Sequence, residues 1–251
     1  MLKSIIIAFS TYSKIPMPRI EWNEKSMKYS LCFFPLVGLV TGIIEYCVFY
    51  LLYKFNMGII FKSMLLTVMP IIINGGIHMD GFLDTIDAKS SYKPRDEKIK
   101  ILKDPNTGAF AVIYAVIYIM VTFGFFSEAG LKEMPYVCMG YIYSRVLSGF
   151  SVVAFKKAKR DGMAAAEANS ADGRVKYILI FEFILCCGVY MSIDPVRGLI
   201  CVLAGLGVML YYRNMAYKLF GGITGDLAGY FLQLCEICIL ICIVIMKGLI
   251  L

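Results

Sequence analysis

Seven apolar runs divide the chain, at roughly residues 29–53, 59–79, 108–127, 134–155, 177–193, 198–212 and 227–246. A bilayer core of roughly 30 Å takes about 20 apolar residues in a helix, and the runs meet or approach that length. The pattern predicts an all-α polytopic membrane protein with about seven transmembrane helices. The fifth and sixth runs are short and Pro195 punctuates the turn between them, so a tight hairpin is the alternative there. The polar segments between runs are too short to fold alone, which makes residues 1–251 a single integral membrane domain. Ahead of the first run, Lys3 and the apolar patch Ile5 to Phe9 are too short for a signal-peptide core and lack a cleavage site. Residues 1–28 therefore read as an interfacial segment resting on the membrane.

Composition agrees with the pattern. Hydrophobic residues make up 59% and charged residues 17%, with a mean hydropathy of +0.74, against about 45–50% and 25% in a soluble domain. All nine cysteines fall inside the apolar runs, where cysteine serves as a small hydrophobe. Cys235 and Cys238 lack the second ligand pair that a zinc site needs.

Charge adds an orientation. Nineteen of the 25 lysines and arginines fall in residues 1–28, 80–106, 156–176 and 213–225, which share one side of the membrane if the seven runs all cross. Such a bias places that side, and the N-terminus, in the cytoplasm by the positive-inside rule, and the C-terminus outside. The net charge of +7 is accounted for by this topology and by anionic lipid headgroups, or by an anionic substrate carrying several phosphates. No feature points to nucleic acid.

The polar chemistry gathers where runs meet loops. After the second run the chain reads GGIHMDGFLDTIDA, residues 75–88. Asp80, Asp84 and Asp87 are spaced i, i+4, i+7, within roughly 60° of one another around a helix. Carboxylates crowded on one face repel unless a cation sits among them, and hard oxygen donors suit Mg²⁺ or Mn²⁺ shared with substrate phosphates. The plain alternative is a solvated acidic helix end neutralised by Lys89, Lys93 and Arg95. His78, the only histidine, reads as a residue that orients an aspartate or touches substrate. Residues 93–110 carry Arg95, Lys98, Lys100 and Lys103 and read as an amphipathic helix with Ile99 and Leu102 facing the membrane. Acidic metal ligands beside phosphate-binding cations are what phosphoryl transfer requires.

A second polar group, GGITGD at 221–226, precedes the last run, and Asp226, Gln233 and Glu236 share a broad helical face. Its Gly-Gly repeats that of 75–76 at another membrane border, too short a likeness to establish an internal repeat. Ionisable residues within a span face a cavity or a partner, which applies to Glu236, Glu45 and Glu182. Arg145, mid-run in YIYSRVLSGF, either pairs with Glu182 or Glu236 or reaches a substrate phosphate.

GGIHMDGFLDTIDA resembles the GG-x-H-x-DG-x-x-DT-x-DA/G signature of the cobalamin synthase family, the adenosylcobinamide-GDP ribazoletransferases. The likeness runs along the chain: FSTYSKIPMP with FFPLVGLVTG, ILKDPNTGAFAV (Pro105 replacing a more usual serine), SRV with AKRDGMAAA, and GGITGDLAGYFLQLCE. It implies a multi-pass, Mg²⁺-dependent enzyme of the bacterial-type cytoplasmic membrane, with its site facing the cytoplasm. Such enzymes join adenosylcobinamide-GDP to α-ribazole or its 5′-phosphate and release GMP. Carried over, Asp80, Asp84 and Asp87 hold the metal and the diphosphate, and Asp226 closes the site with Thr224 and Gly225. Asn74, Gly75, Gly76 and His78 fall to the substrate, and Arg95, Lys103, Arg145 and Arg160 to phosphate contacts. The resemblance leaves room for a homo-oligomer or a complex with other cobalamin-assembly enzymes.

Two other readings weigh against it. A CDP-alcohol phosphotransferase of lipid synthesis also sets aspartates on membrane helices, but expects D-x-x-D-G-x-x-A-R, where this chain has three residues in the first gap and no following Ala-Arg. A cation-coupled transporter would use Glu45, Glu182, Glu236 and the glycine breaks, yet such sites lie near the midplane, and here the densest polar motifs lie at the border.

Overall fold

The computed structural model describes residues 1–249 except Arg160, Asp161 and the side chain of Glu24. Twelve α-helices follow in order: α1 (Leu2–Tyr12), α2 (Glu24–Met27), α3 (Phe34–Lys54), α4 (Ile59–Asn74), α5 (Ile77–Ser90) and α6 (Arg95–Ile101), then α7 (Ala109–Glu128), α8 (Met134–Ala154), α9 (Met163–Ser170), α10 (Val175–Ile193), α11 (Pro195–Leu219) and α12 (Gly225–Leu249). Among the described residues six helical stretches are long and apolar enough to cross a bilayer: Lys25–Lys54, α7, α8, α10, α11 and α12. Helix α4, 16 residues long, is too short to qualify alone; with α5, which it meets at 94°, it forms a bent pair that brings the count to as many as seven. The expected polytopic helical class is present.

Two boundaries differ from the apolar pattern. The second run does not continue to residue 79: α4 stops at Asn74 because Gly75 (φ 64°) and Gly76 (φ 78°) both take left-handed backbone conformations. That region is steeply unfavourable for a residue with a Cβ, so the Gly-Gly pair turns the chain by a right angle. The short runs at 177–212 are two full helices, with Asp194 alone between them. The Asp194 side chain accepts the Arg197 amide (2.8 Å) and Pro195 begins α11, a normal helix start.

The core is organised around α8, which lies against α3, α10, α11 and α12. Contact with α3 is close because Gly38 and Gly42, one helical turn apart, face backbone of α8; a Cβ on Gly42 would stand 2.7 Å from the Cys138 carbonyl oxygen. Small residues at this spacing let membrane helices approach and pack without a hydrophobic driving force. On α7 and α10, by contrast, most apolar side chains point outward, Ile113, Met120, Phe181 and Ile184 among them, as suits lipid contact.

One end of the bundle ties together segments distant in sequence through polar contacts. The Lys14 amide donates to the Ile73 carbonyl (2.8 Å), and the Ile223 and Ala158 amides pair with the Lys156 and Ile223 carbonyls (2.8 and 2.9 Å). Lys28 bridges to Asp172 at 2.8 Å. The N-terminal segment is built into this end: Phe9 and Tyr12 of α1 pack with Phe34, Val37 and Leu232. Leu102 is 4% exposed and, with Ile99, packs against the protein core, so these residues face protein and not the membrane as their amphipathic spacing implied.

Candidate active site

After the right-angle turn, α5 runs crosswise to α4 at the loop-rich end of the bundle. It is pinned at three places. Gly81 sits on the first turn of α12, where a Cβ would stand 2.7 Å from the Asp226 carbonyl oxygen, and Gly229 returns the fit against His78. Phe82 stacks on Tyr230 of α12 at 5.5 Å. At the far end, both Asp87 carboxylate oxygens accept backbone N–H groups at the start of α7, from Gly108 and Ala111. Asp87 is thus an N-cap supplied by a neighbouring helix, neutralising the positive end of α7. Each oxygen keeps a further lone pair, so the cap does not decide the metal-ligand role that its spacing suggested. Asp87→Ala should cost roughly 1–2 kcal/mol of stability, read as a lowered unfolding midpoint in detergent, with activity falling far less than on loss of Asp84.

The other two aspartates turn toward α12. Burial, then the neighbouring carboxylates of Asp80, Asp226 and Asp87, push the Asp84 carboxyl up to about 7. Asp80 and Asp226 line one cavity. Thr224 prepares this geometry: its hydroxyl accepts the Leu227 amide (3.2 Å) and caps α12, so Asp226 falls in the first turn, where a carboxylate is favoured. As the side chains stand, no three acidic, histidine or cysteine groups among the described residues converge into a metal cage. The donor set nevertheless fits a magnesium ion of the substrate-bound kind, which takes one or two protein carboxylates and completes its shell with phosphate oxygens and water.

The cations expected to neutralise a merely solvated acidic helix end are turned elsewhere. Lys89 donates to the Tyr211 hydroxyl (2.8 Å), Lys93 pairs with Glu97 (3.2 Å), and the Arg95 guanidinium lies over Gly221. Lys98 is buried and its ammonium donates to the Ala88 (2.8 Å) and Lys89 (3.1 Å) carbonyls, a cap for the end of α5.

The cavity holds about 430 Å³ and is enclosed by α1, α3, α5, α8, α9 and α12. Of the residues singled out from sequence, His78, Asp80, Lys103, Thr224, Gly225 and Asp226 line it. Asn74, Gly75, Gly76, Asp84, Asp87, Arg95 and Arg145 do not line it, and Arg160 lies outside the described residues. Gly75 packs on the Lys14 side chain, and Gly75 and Gly76 serve the turn. Arg145 is fully buried and pairs with Glu236 at 2.8 Å, while Ser144 donates to the same carboxylate oxygen at 2.9 Å. The Arg145 Nη1 thus takes Glu236, one of its two expected helix partners, while Nε and Nη2 have no hydrogen-bond partner among the described residues.

His78 is 4% exposed, and its Nε2 has no hydrogen-bond partner among the described residues. Burial, and next the Arg145 charge, hold its imidazole well below the usual range. Its ring lies 6.0 Å from Tyr12 and 5.8 Å from Phe34. Tyr12 in turn donates to Glu167 of α9, 2.7 Å from each carboxylate oxygen, and burial raises Glu167 to about 7. Lys157 and Lys159 complete the cationic lining.

Tyr12, Phe34, Lys157, Lys159 and Glu167 are lining residues that the chemical motifs did not mark. The signal for the lysines was the run KKAKR, and for Glu167 a single acid in the alanine-rich MAAAEANS. Tyr12 and Phe34 gave none beyond their place in the N-terminal pattern.

Comparison with known proteins gives one family. The family model described as Cobalamin-5-phosphate synthase matches residues 4–244. A relative from Lachnoclostridium phytofermentans, named adenosylcobinamide-GDP ribazoletransferase, is 43% identical over 250 residues, covering 99% of this chain and 96% of its own. Relatives of the same name are 34% identical in Clostridium botulinum strain Alaska E43, over 94% of this chain and 95% of theirs, and 31% identical in Clostridium perfringens strain SM101, over 93% and 94%. No solved structure matches the chain.

Proposed function

Since the chain belongs to the cobalamin-5-phosphate synthase family, we propose that it transfers the cobinamide phosphate of adenosylcobinamide-GDP to α-ribazole or its 5′-phosphate, releasing GMP. It is a transferase of cobalamin nucleotide-loop assembly. The observation that carries the reaction type is a cavity lined by Asp80 and Asp226 together with Lys103, Lys157 and Lys159, with Asp84 outside the lining but close enough for both carboxylates to act on it. Carboxylates able to share a cation, next to lysines able to neutralise a departing phosphate, are the parts that phosphoryl transfer uses.

In the reaction, the ribose hydroxyl of the acceptor forms an O–P bond at the phosphorus on the corrinoid side. The pyrophosphate P–O bond breaks, GMP carries away that bonding pair, and the hydroxyl proton passes to a carboxylate or to water. A Mg²⁺ ion, when bound, offsets the charge developing on the phosphate oxygens; Asp80, Asp84 and Asp226 would hold it. The lysines bind the GMP phosphate, and the packed wall of α3, α8 and α12 excludes water from competing as acceptor. We place this end of the bundle in the cytoplasm, because it carries nineteen of the 25 basic residues.

The assay is direct. The protein purified in detergent should release GMP from adenosylcobinamide-GDP only when α-ribazole or its phosphate is present. A chelator should abolish release and excess Mg²⁺ restore it. Release unaffected by chelator would remove the metal, and release without a ribazole acceptor would remove the transfer.

A further inference from the structure

We infer that the corner of the cavity walled by Tyr12, Phe34 and His78 and edged by Glu167 seats the guanine base of the donor, with Glu167 the residue that reads it. This rests on the ribazole transfer proposed above and assigns one of its two nucleosides to a place.

Size excludes the corrinoid first. A cavity of about 430 Å³ takes a group of nucleotide size, and a corrin with its amide arms is far larger. The cavity therefore receives one of the two nucleosides while the corrinoid stays outside.

The corner offers flat surface and an acceptor together. Tyr12 and Phe34 lie 4.1 Å apart between centroids, and His78 completes the group at 6.0 and 5.8 Å. The rings pack on one another and all three line the cavity, so a base entering this corner meets aromatic surface. Glu167 lines the same cavity and is only 4% exposed. Its carboxylate has about four acceptor positions, and the single Tyr12 proton, 2.7 Å from both oxygens, cannot fill them. A buried carboxylate with spare acceptor capacity selects a ligand that brings donors.

The two bases differ in this respect. Guanine presents its N1–H and 2-amino group side by side, a spacing that matches the two oxygens of one carboxylate. The benzimidazole of ribazole, with one nitrogen joined to the sugar, has no N–H to give. Seated here it would leave the Glu167 acceptors unmet, and a site built for hydrogen-bond partners rejects a ligand lacking them strongly. The carboxylate thus decides between two ligands that stacking alone would admit equally.

The test uses the full-length protein in detergent, with GMP, AMP and 1-methyl-GMP as competitive inhibitors of ribazole transfer. Wild type should bind GMP at least about tenfold tighter than AMP or 1-methyl-GMP, both of which lack the N1–H donor. Glu167→Gln, shown monodisperse, should lose that preference. The methylated nucleotide needs no variant, so equal binding of GMP and 1-methyl-GMP to wild type overturns the assignment even if the variant does not fold. A folded Glu167→Gln protein that keeps the preference, or that loses α-ribazole binding in its place, also overturns it while leaving the transfer intact. Absence of product from the wild type and both substrates would overturn transfer and assignment together.

Discussion

Asp84→Asn should lower GMP release by a factor of roughly 10²–10³, the scale of losing one preorganised electrostatic contact in an active site, while the protein stays in the membrane. The same substitution should stabilise the metal-free protein. Burial and three neighbouring carboxylates raise the Asp84 carboxyl to about 7, whereas in an unfolded chain it titrates near ~4. A carboxyl raised on folding contributes stability that is present at low pH and lost as pH rises through 7. Asparagine has no proton to lose, so at pH 8 without magnesium the variant's unfolding midpoint should exceed the wild type's, by roughly 1 kcal/mol once solvent screening of this half-exposed group is allowed for. By the same sign, magnesium should bind the wild type more tightly from pH 6 to 8, with proton release detectable by calorimetry in buffers of different ionisation enthalpy. Near-normal GMP release by Asp84→Asn would sink the carboxylate assignment.

Arg145→Met should be the most destabilising single change in the spans. The guanidinium is wholly buried, holds Glu236 at 2.8 Å, and lies 5.7 Å from the Phe34 ring that walls the cavity. Removing one member of a buried pair strands the other charge, at a cost of roughly 3–5 kcal/mol. Removing both is far less damaging, so Arg145→Met with Glu236→Gln should recover most of the loss. Thermal unfolding in detergent and the monodisperse yield measure both variants. A single variant as stable as wild type would show that the pair carries no load, and a double variant no better than the single would place the loss in shape and not charge. Because Phe34 rests against the guanidinium, the double variant should still turn over more slowly than wild type.

The spans were legible in the sequence because burial in lipid imposes one rule, continuous apolar length, on every residue. The turn at Gly75-Gly76 was legible as a glycine pair but not as a right angle, since two left-handed residues end a helix without naming its new direction. The i, i+4, i+7 spacing correctly set three aspartates on one helix, yet spacing could not say which neighbour each one meets. Asp87 lies only one turn from Asp84, and that turn carries it to the start of α7. Arg145 left two carboxylates open for the same reason: its partner is fixed by how α8 and α12 pack. Glu167 stood out only as a lone acid, because its importance comes from Tyr12, 155 residues away.

The way α5 is fixed bears on why this chemistry is found in an integral membrane protein at all. Its aspartates hang from a short helix that α7, α11 and α12 hold in place through a cap, a lysine–tyrosine bond and a glycine contact. Excising the polar segments would yield the motif without its frame. The bilayer-embedded helices are thus less an anchor for a surface enzyme than the jig in which its reactive edge is clamped, and shrinking the protein to a soluble fragment would discard the tool along with the mooring.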